Sequence, residues 1–233
     1  AHAPVYGTTA DHVVALEVAL ADGRVAWVGS DDDGLAEIRG ESDAVVADDG
    51  GERNVVAPVS LIASAFAPVS DVTKHPTPRL RKTDEPSYLL LFDLGAGANR
   101  LGGSCLAQAF NRVGGEAPDI DNPDVLGNFF AAIQELSSRD MLLAYHDRSD
   151  GGLLATVAEM MFAGRLGVSL QLGGSRESML AQLFNEEAGA VVQVTKGKLT
   201  QVQMVLDRHG ISAQAIGRVE NTPVLTIRDG DAA

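Results

Sequence analysis

An α/β fold with a mixed sheet flanked by helices is the architecture predicted for this chain of 233 residues. From residue 85 onward, apolar runs of strand length alternate with segments whose apolar residues recur at helical spacing. Two of the passages from strand to helix are rich in glycine. A 45% share of hydrophobic residues is enough for a sizeable core. Alternation by itself points to a doubly wound sheet.

The elements follow in order. Runs 13–20 and 25–28 are strand-like and are joined by Ala21-Asp22-Gly23, and Asp-Gly between such runs predicts a β-hairpin. Residues 30–51 carry Asp31-Asp32-Asp33 and few large apolar side chains, so they read as a polar linker. Residues 55–68 continue through apolar residues as a strand, 69–86 form a proline-containing connector, and 88–94 is the next strand. A helix is expected over 104–113. Proline is tolerated in a first helical turn, so Pro123 opens another helix to about residue 138, with Phe129, Ile133 and Leu136 on its apolar face. A buried strand over 141–145 precedes a helix over 153–163, where Leu153, Val157, Met160 and Met161 recur at helical spacing. Strand 167–172, helix 177–184, strand 190–194, helix 198–208, strand 213–219 and a last strand near 224–227 complete the chain.

The segment Tyr145-His146-Asp147-Arg148-Ser149-Asp150-Gly151-Gly152-Leu153 packs acid, hydroxyl and flexible backbone between a strand and a helix. At such a turn the N–H groups of the helix N-terminus favour anions, and two glycines let a phosphate approach the backbone. Asp147 offers a hard oxygen to a divalent cation and Ser149 a hydroxyl to a phosphate. The competing reading is an ordinary N-cap and turn. A second stretch, Gly95-Ala96-Gly97-Ala98-Asn99-Arg100-Leu101-Gly102-Gly103-Ser104, also leaves a strand and enters a helix. It lacks the dinucleotide fingerprint, since Arg100 stands where the third glycine belongs, and no lysine follows as in a P-loop. Arg100 is either a bidentate phosphate donor or a solvated cation. Cys105 reads as core filler, His146 as a structural histidine at a strand end, and Glu186-Glu187 as a solvated pair.

Several longer words accompany the turn: Ala57-Pro58-Val59-Ser60-Leu61-Ile62 with Ser64-Ala65-Phe66, and Leu183-Phe184-Asn185-Glu186-Glu187 with Gly189-Ala190-Val191-Val192-Gln193-Val194. With Asp93-Leu94-Gly95 and the run from Asn99 to Ser104, they make residues 48–228 resemble phosphoribosylformylglycinamidine synthases, amidotransferases of purine biosynthesis. The resemblance implies the C-terminal domain fold shared with aminoimidazole ribonucleotide synthetase over 85–228. Residues 48–84 would then be the last strand of the preceding synthetase subdomain plus a connector, and 229–233 a tail. It implies ATP or ADP and Mg²⁺ as cofactors, with Asp147 the metal ligand and Ser149, Gly151 and Gly152 at the nucleotide. Asn99, Arg100 and Ser104 would contact the substrate, formylglycinamide ribonucleotide. The implied reaction is an ATP-dependent amide-to-amidine conversion, a ligase activity. The other synthetase subdomains and a glutaminase domain would be partners, so the chain alone is expected to be inactive. A noncatalytic, structural nucleotide site is an alternative, as are ATP-using relatives such as selenophosphate synthetase, thiamine-monophosphate kinase and hydrogenase maturation factors. Residues 1–47 weakly resemble a fragment of flavin-linked oxidases; one hairpin cannot enclose a flavin, so no flavin chemistry is carried over.

A formal charge of −14 argues against a nucleic-acid partner, which would require an excess of Lys and Arg. No apolar stretch approaches the length that crosses a bilayer, and the single cysteine fits a cytoplasmic location.

Overall fold

The structure is a computed structural model that describes residue 71, residues 75–112 and 115–229, and the backbone of five short strands nearer the N-terminus. The chain divides into two units, one of residues 6–70 and one built on residues 71–233. In the first unit, β1 (Ala15–Leu20) and β2 (Val25–Gly29) pair antiparallel, as the hairpin pattern predicts. β1 also pairs antiparallel with β5 (Leu61–Ile62). The polar segment 30–51, read as a linker or a loop, contains one short strand. Ala44–Val46 (β3) pairs with Glu52–Asn54 (β4), and the β-branched Val45-Val46 pair suits a strand. The rest of the strand expected over 55–68 lies outside the described residues.

The second unit holds a six-stranded sheet ordered β11-β8-β10-β6-β9-β7. Its strands are β6 (Ser87–Asp93), β7 (Ala144–Asp147), β8 (Gly167–Leu172), β9 (Gly189–Thr195), β10 (Gln214–Glu220) and β11 (Leu225–Asp229). Only β8 and β11 pair in parallel; every other neighbouring pair is antiparallel. The sheet is therefore mixed, and the doubly wound arrangement that alternation suggests is not formed. Strands joined by helices are not neighbours here: β9 lies between β6 and β7, and β6 between β9 and β10, so the ladders that form among these four are antiparallel.

Each face of this sheet carries its own apolar cluster. Along β6, Leu90 and Phe92 join one cluster while Leu89 and Leu91 join the other. The first is closed by α2 (Pro123–Ser138) and α5 (Leu199–His209), the second by α3 (Gly152–Gly164) and α4 (Arg176–Phe184). α2 begins where sequence predicts: Asn122 accepts from Asp124 N at 3.0 Å, Pro123 occupies the first turn, and Phe129, Ala132, Ile133 and Leu136 form the buried stripe.

Two boundaries move, each for a local reason. The helix expected over 104–113 is only Cys105–Ala109 (α1), because Phe110 and Arg112 both donate to Ala107 O and Asn111 turns left-handed at φ 54°. The strand expected over 141–145 begins at Ala144, since Met141 N still caps α2 through Leu136 O and Asp140 has φ 51°. The shift carries His146 and Asp147 out of the turn and into β7.

Along the other side of β7 runs the connector. Thr77 O accepts from Tyr145 N at 3.0 Å, and the fully buried Gln193 amide exchanges bonds with the Arg81 backbone at 2.8 and 2.7 Å. Gln193 also donates to Ser87 Oγ. The buried amide is thereby satisfied, as burial demands.

Phe92 is fully buried and meets Phe129 edge-on, with ring centroids 5.3 Å apart. Phe92→Ala is expected to destabilise this unit by about 3–5 kcal/mol, measured as a lowered midpoint in chemical denaturation.

Candidate functional site: two glycine turns at one end of the sheet

β6 and β7 both run antiparallel to β9, so they run parallel to each other with β9 between them. Asp93 at the end of β6 pairs with Gly189, and Asp147 at the end of β7 pairs with Ala190. Both glycine turns therefore leave the same end of the sheet, on either side of the segment 185–188 that enters β9. That segment ties them together.

The first turn is held by Glu187. Its carboxylate, fully buried, accepts Arg100 N at 3.0 Å, Arg100 Nε at 2.7 Å and Arg100 Nη2 at 3.0 Å. Arg100 also reaches Asp121 Oδ1 at 3.1 Å and Asp119 O at 2.6 Å. The guanidinium is thus engaged by a carboxylate fork. Asn99, at φ 52°, donates to Gly97 O and accepts from the buried Asn185 amide, each at 3.0 Å. Ser104 is fully buried and caps α1: its Oγ accepts from Ala107 N and donates to Leu101 O.

The second turn rests on Arg148, a side chain 1% exposed. Its Nε donates to Glu187 O at 2.6 Å and its Nη2 to Asp93 Oδ1 at 2.5 Å. Asp93 in turn accepts from Gly95 N and Gly97 N of the first turn. Asp147 leaves its carboxylate about a third exposed at the strand end. Ser149 and Asp150 are exposed, and Gly151, just before α3, lies in the left-handed region and gives the helix no side-chain cap. Gly152 is left-handed at φ 68°, and a Cβ there would lie 2.6 Å from Asn185 O. Close approach of the protein's own 183–185 backbone requires glycine at this position.

His146 is buried, with Nε2 2.7 Å from Glu159 Oε2 and Nδ1 2.8 Å from Asp147 O. The Asp147 side chain raises the imidazole above its ordinary pKa against the opposing effect of burial, with Glu159 adding to the rise. The structural reading of His146 fits this geometry. Two other readings are corrected. Glu187 is not solvated but wholly buried, because Arg100 supplies its charge partner. Cys105 is exposed rather than core filler, and the five-residue α1 buries none of its own residues.

Sequence reasoning passed over Asp93, Arg148 and Asn185. The available signal was a polar residue next to a wholly apolar strand: Asp93 ends β6, and Asn185 and Glu187 sit between Leu183 and the buried run of β9. Beside the turns, a cleft of about 290 Å³ is lined by the apolar Leu91, Leu172 and Ile216 and the polar Asp93, Asn99 and Arg148. Among the described residues no helix is long and apolar enough to cross a membrane.

A sheet of this order with paired glycine turns at one end defines a class of domain. Residues 91–230 match the family model described as AIR synthase related protein, C-terminal domain, and the chain belongs to that family. The fold is similar to that of phosphoribosylformylglycinamidine synthase II from Thermotoga maritima, at 10% identity and TM-score 0.52 over 74% of this chain and 27% of that one. It is also similar to T. maritima PurL complexed with ATP, at 13% identity and TM-score 0.52 over 74% and 27% of the two chains. For T. maritima PurL complexed with FGAR the values are 14%, 0.52, 74% and 29%. The chain thus spans less than a third of the length of these proteins, and at such identities the likeness is one of fold.

Burial pushes the Glu187 carboxyl up, but hydrogen bonds from the Arg100 side chain and backbone outweigh it and hold the group below the ordinary carboxylate range. A depressed folded pKa stabilises the protein above the unfolded value, and that stabilisation is lost as pH falls through the folded one. Acid titration of unfolding midpoints is therefore expected to show a steeper loss of stability below about pH 4.5 in the wild type than in Glu187→Gln.

Proposed function

We propose that this chain is part of a phosphoribosylformylglycinamidine synthase, and that its second glycine turn supplies half of a metal-nucleotide site. The observation that carries the reading is the convergence of both turns on one sheet end, where Asp147 is partly exposed, Ser149 is exposed and α3 begins without a side-chain cap. The longer sequence words and the likeness to proteins whose structures hold ATP and FGAR support it.

Ser149 would donate to a phosphate oxygen, with Gly151 and Gly152 shaping the backbone beside it. Asp147 would hold Mg²⁺, for which a partly exposed hard oxygen at a strand end is a suitable donor. The metal, when bound, supplies charge compensation for the phosphates. In the first turn, Asn99, Arg100 and Ser104 serve substrate binding through the backbone they fix, since Arg100 and Ser104 are engaged within the protein. The remaining metal ligands, further synthetase subdomains and a glutaminase would come from other parts of the enzyme, and the ligase reaction would require them.

The geometry favours nucleotide retention over turnover at this half-site. Arg148 is wholly committed to Asp93 and Glu187, and Arg100 to Glu187 and Asp121, so neither is at liberty to follow a moving phosphoryl group.

Titration calorimetry of the isolated chain with MgADP is expected to give binding weaker than about 100 μM, equivalent to about 5.5 kcal/mol, and mixing with ammonia, MgATP and formylglycinamide ribonucleotide is expected to yield no amidine. Nanomolar binding or amidine formation would sink the half-site reading. In a full-length homologue, the change equivalent to Asp147→Ala is expected to lower the melting midpoint while turnover is retained. Lost turnover with an unchanged midpoint would instead assign the site to catalysis.

A further inference from the structure

Glu186 has no part in the nucleotide contacts proposed above, yet its carboxylate touches both turns. Oε1 accepts Gly151 N at 2.9 Å and Cys105 N at 2.8 Å. Gly151 precedes α3 and Cys105 opens α1 directly after the buried Ser104, so one oxygen joins the entry points of two helices from opposite sides of β9. The neighbouring Glu187 is wholly buried and fixed by Arg100, whereas Glu186 is only partly buried. Of the two, Glu186 is the one with room to move.

We propose that Glu186 is a positioning residue that couples the two glycine turns, so that displacing its carboxylate at Gly151 releases Cys105 as well. The chemistry of the second turn makes such displacement natural. A phosphate there competes for the Gly151 N–H, and a divalent cation attracts the carboxylate; either weakens the bond to Cys105. The two N–H bonds are charge-assisted and rank among the stronger kind.

Cys105 supplies the reporter. It is the chain's single cysteine and it is exposed. Its sulfur, one carboxylate oxygen of Glu186 and one of Asp150 lie within 4.8 Å of one another. Contact with Glu186 first, then partial burial and the charge of Asp150, raise the thiol above its ordinary pKa and suppress the reactive thiolate.

The test compares wild type, Glu186→Gln and Glu186→Ala in the full chain, with no nucleotide present, so its outcome is separate from that of the titration above. Amide hydrogen exchange is read at Cys105, Gly151 and Val191, the last fully buried within β9, and iodoacetamide alkylation is read at Cys105. Glu186→Ala is expected to speed exchange at both Cys105 and Gly151 by about tenfold or more, the scale of one lost charge-assisted bond, with Val191 unchanged. Glu186→Gln keeps an acceptor oxygen and is expected to restore both amides to within about threefold of wild type. Because Gln lacks the charge, Cys105 is alkylated faster in both variants. A response at only one of the two amides overturns the coupling, as does Gln exchanging like Ala. Faster exchange at Val191 as well reduces Glu186 to a general stabiliser and overturns it too.

Discussion

The buried ion pair between Glu187 and Arg100 is the constraint on which this end of the domain depends. A carboxylate with no solvent exposure requires a partner of opposite charge and enough donors to satisfy its oxygens, and Arg100 provides its side chain and its backbone N–H. The first turn must therefore fold back so that residue 100 meets residue 187. Gly95 follows from the same requirement: a Cβ there would come within 2.5 Å of the Glu187 carboxylate. Arg148 then fixes the second turn to the same residue through Glu187 O, and to the first turn through Asp93. Such a pair adds little net stability compared with an apolar filling, but removing one partner strands a buried charge. What it gives is a single geometry for two loops that have few apolar contacts of their own.

Most of the architecture of residues 85–228 is legible in the sequence because its elements are strongly periodic and clearly punctuated. Pro123 and the stripe Phe129, Ile133 and Leu136 define α2, and the apolar run of β9 is framed by Glu187 and Lys196. Sheet order is not legible. Alternation of strand and helix is common to parallel and mixed sheets, and whether a strand returns beside its neighbour depends on long-range pairing that periodicity does not encode. The boundary shifts share a cause: left-handed Asn111 ends α1 early, and left-handed Asp140, just past the end of α2, delays the start of β7 to Ala144.

The candidate site was legible as two turns but not as one unit. Glycine, serine and aspartate at 147–152 mark a turn by themselves, whereas the pairing of Arg100 with Glu187 spans 87 residues and has no local signature. Reading Glu186 and Glu187 together as solvated followed the general rule that glutamate avoids interiors. That rule fails at Glu187, where a guanidinium, a backbone N–H and the start of a buried strand meet. It also means that the glycines have mixed purposes. Gly95 and Gly152 make room for the protein's own atoms, and identity at those positions says less about a ligand than glycine-rich motifs usually suggest.

Charge at the sheet end narrows what can bind there. Asp93, Asp147, Asp150, Glu186 and Glu187 all lie in or beside the two turns, and both arginines there are already paired, Arg148 with Asp93 and Arg100 with Glu187. A bare polyphosphate would meet repulsion without a free cation among these residues to offset it, and backbone N–H dipoles alone are weak compensation when Gly151 N already serves Glu186. Under the proposed metal-nucleotide reading, a phosphate ligand carrying its own divalent cation would resolve the conflict, because Asp147 would attract the metal and the metal would offset the phosphate charge. On that proposed reading the acidity is consistent with a metal-bound nucleotide, whose affinity would depend on the cation more strongly than at a lysine-lined phosphate loop.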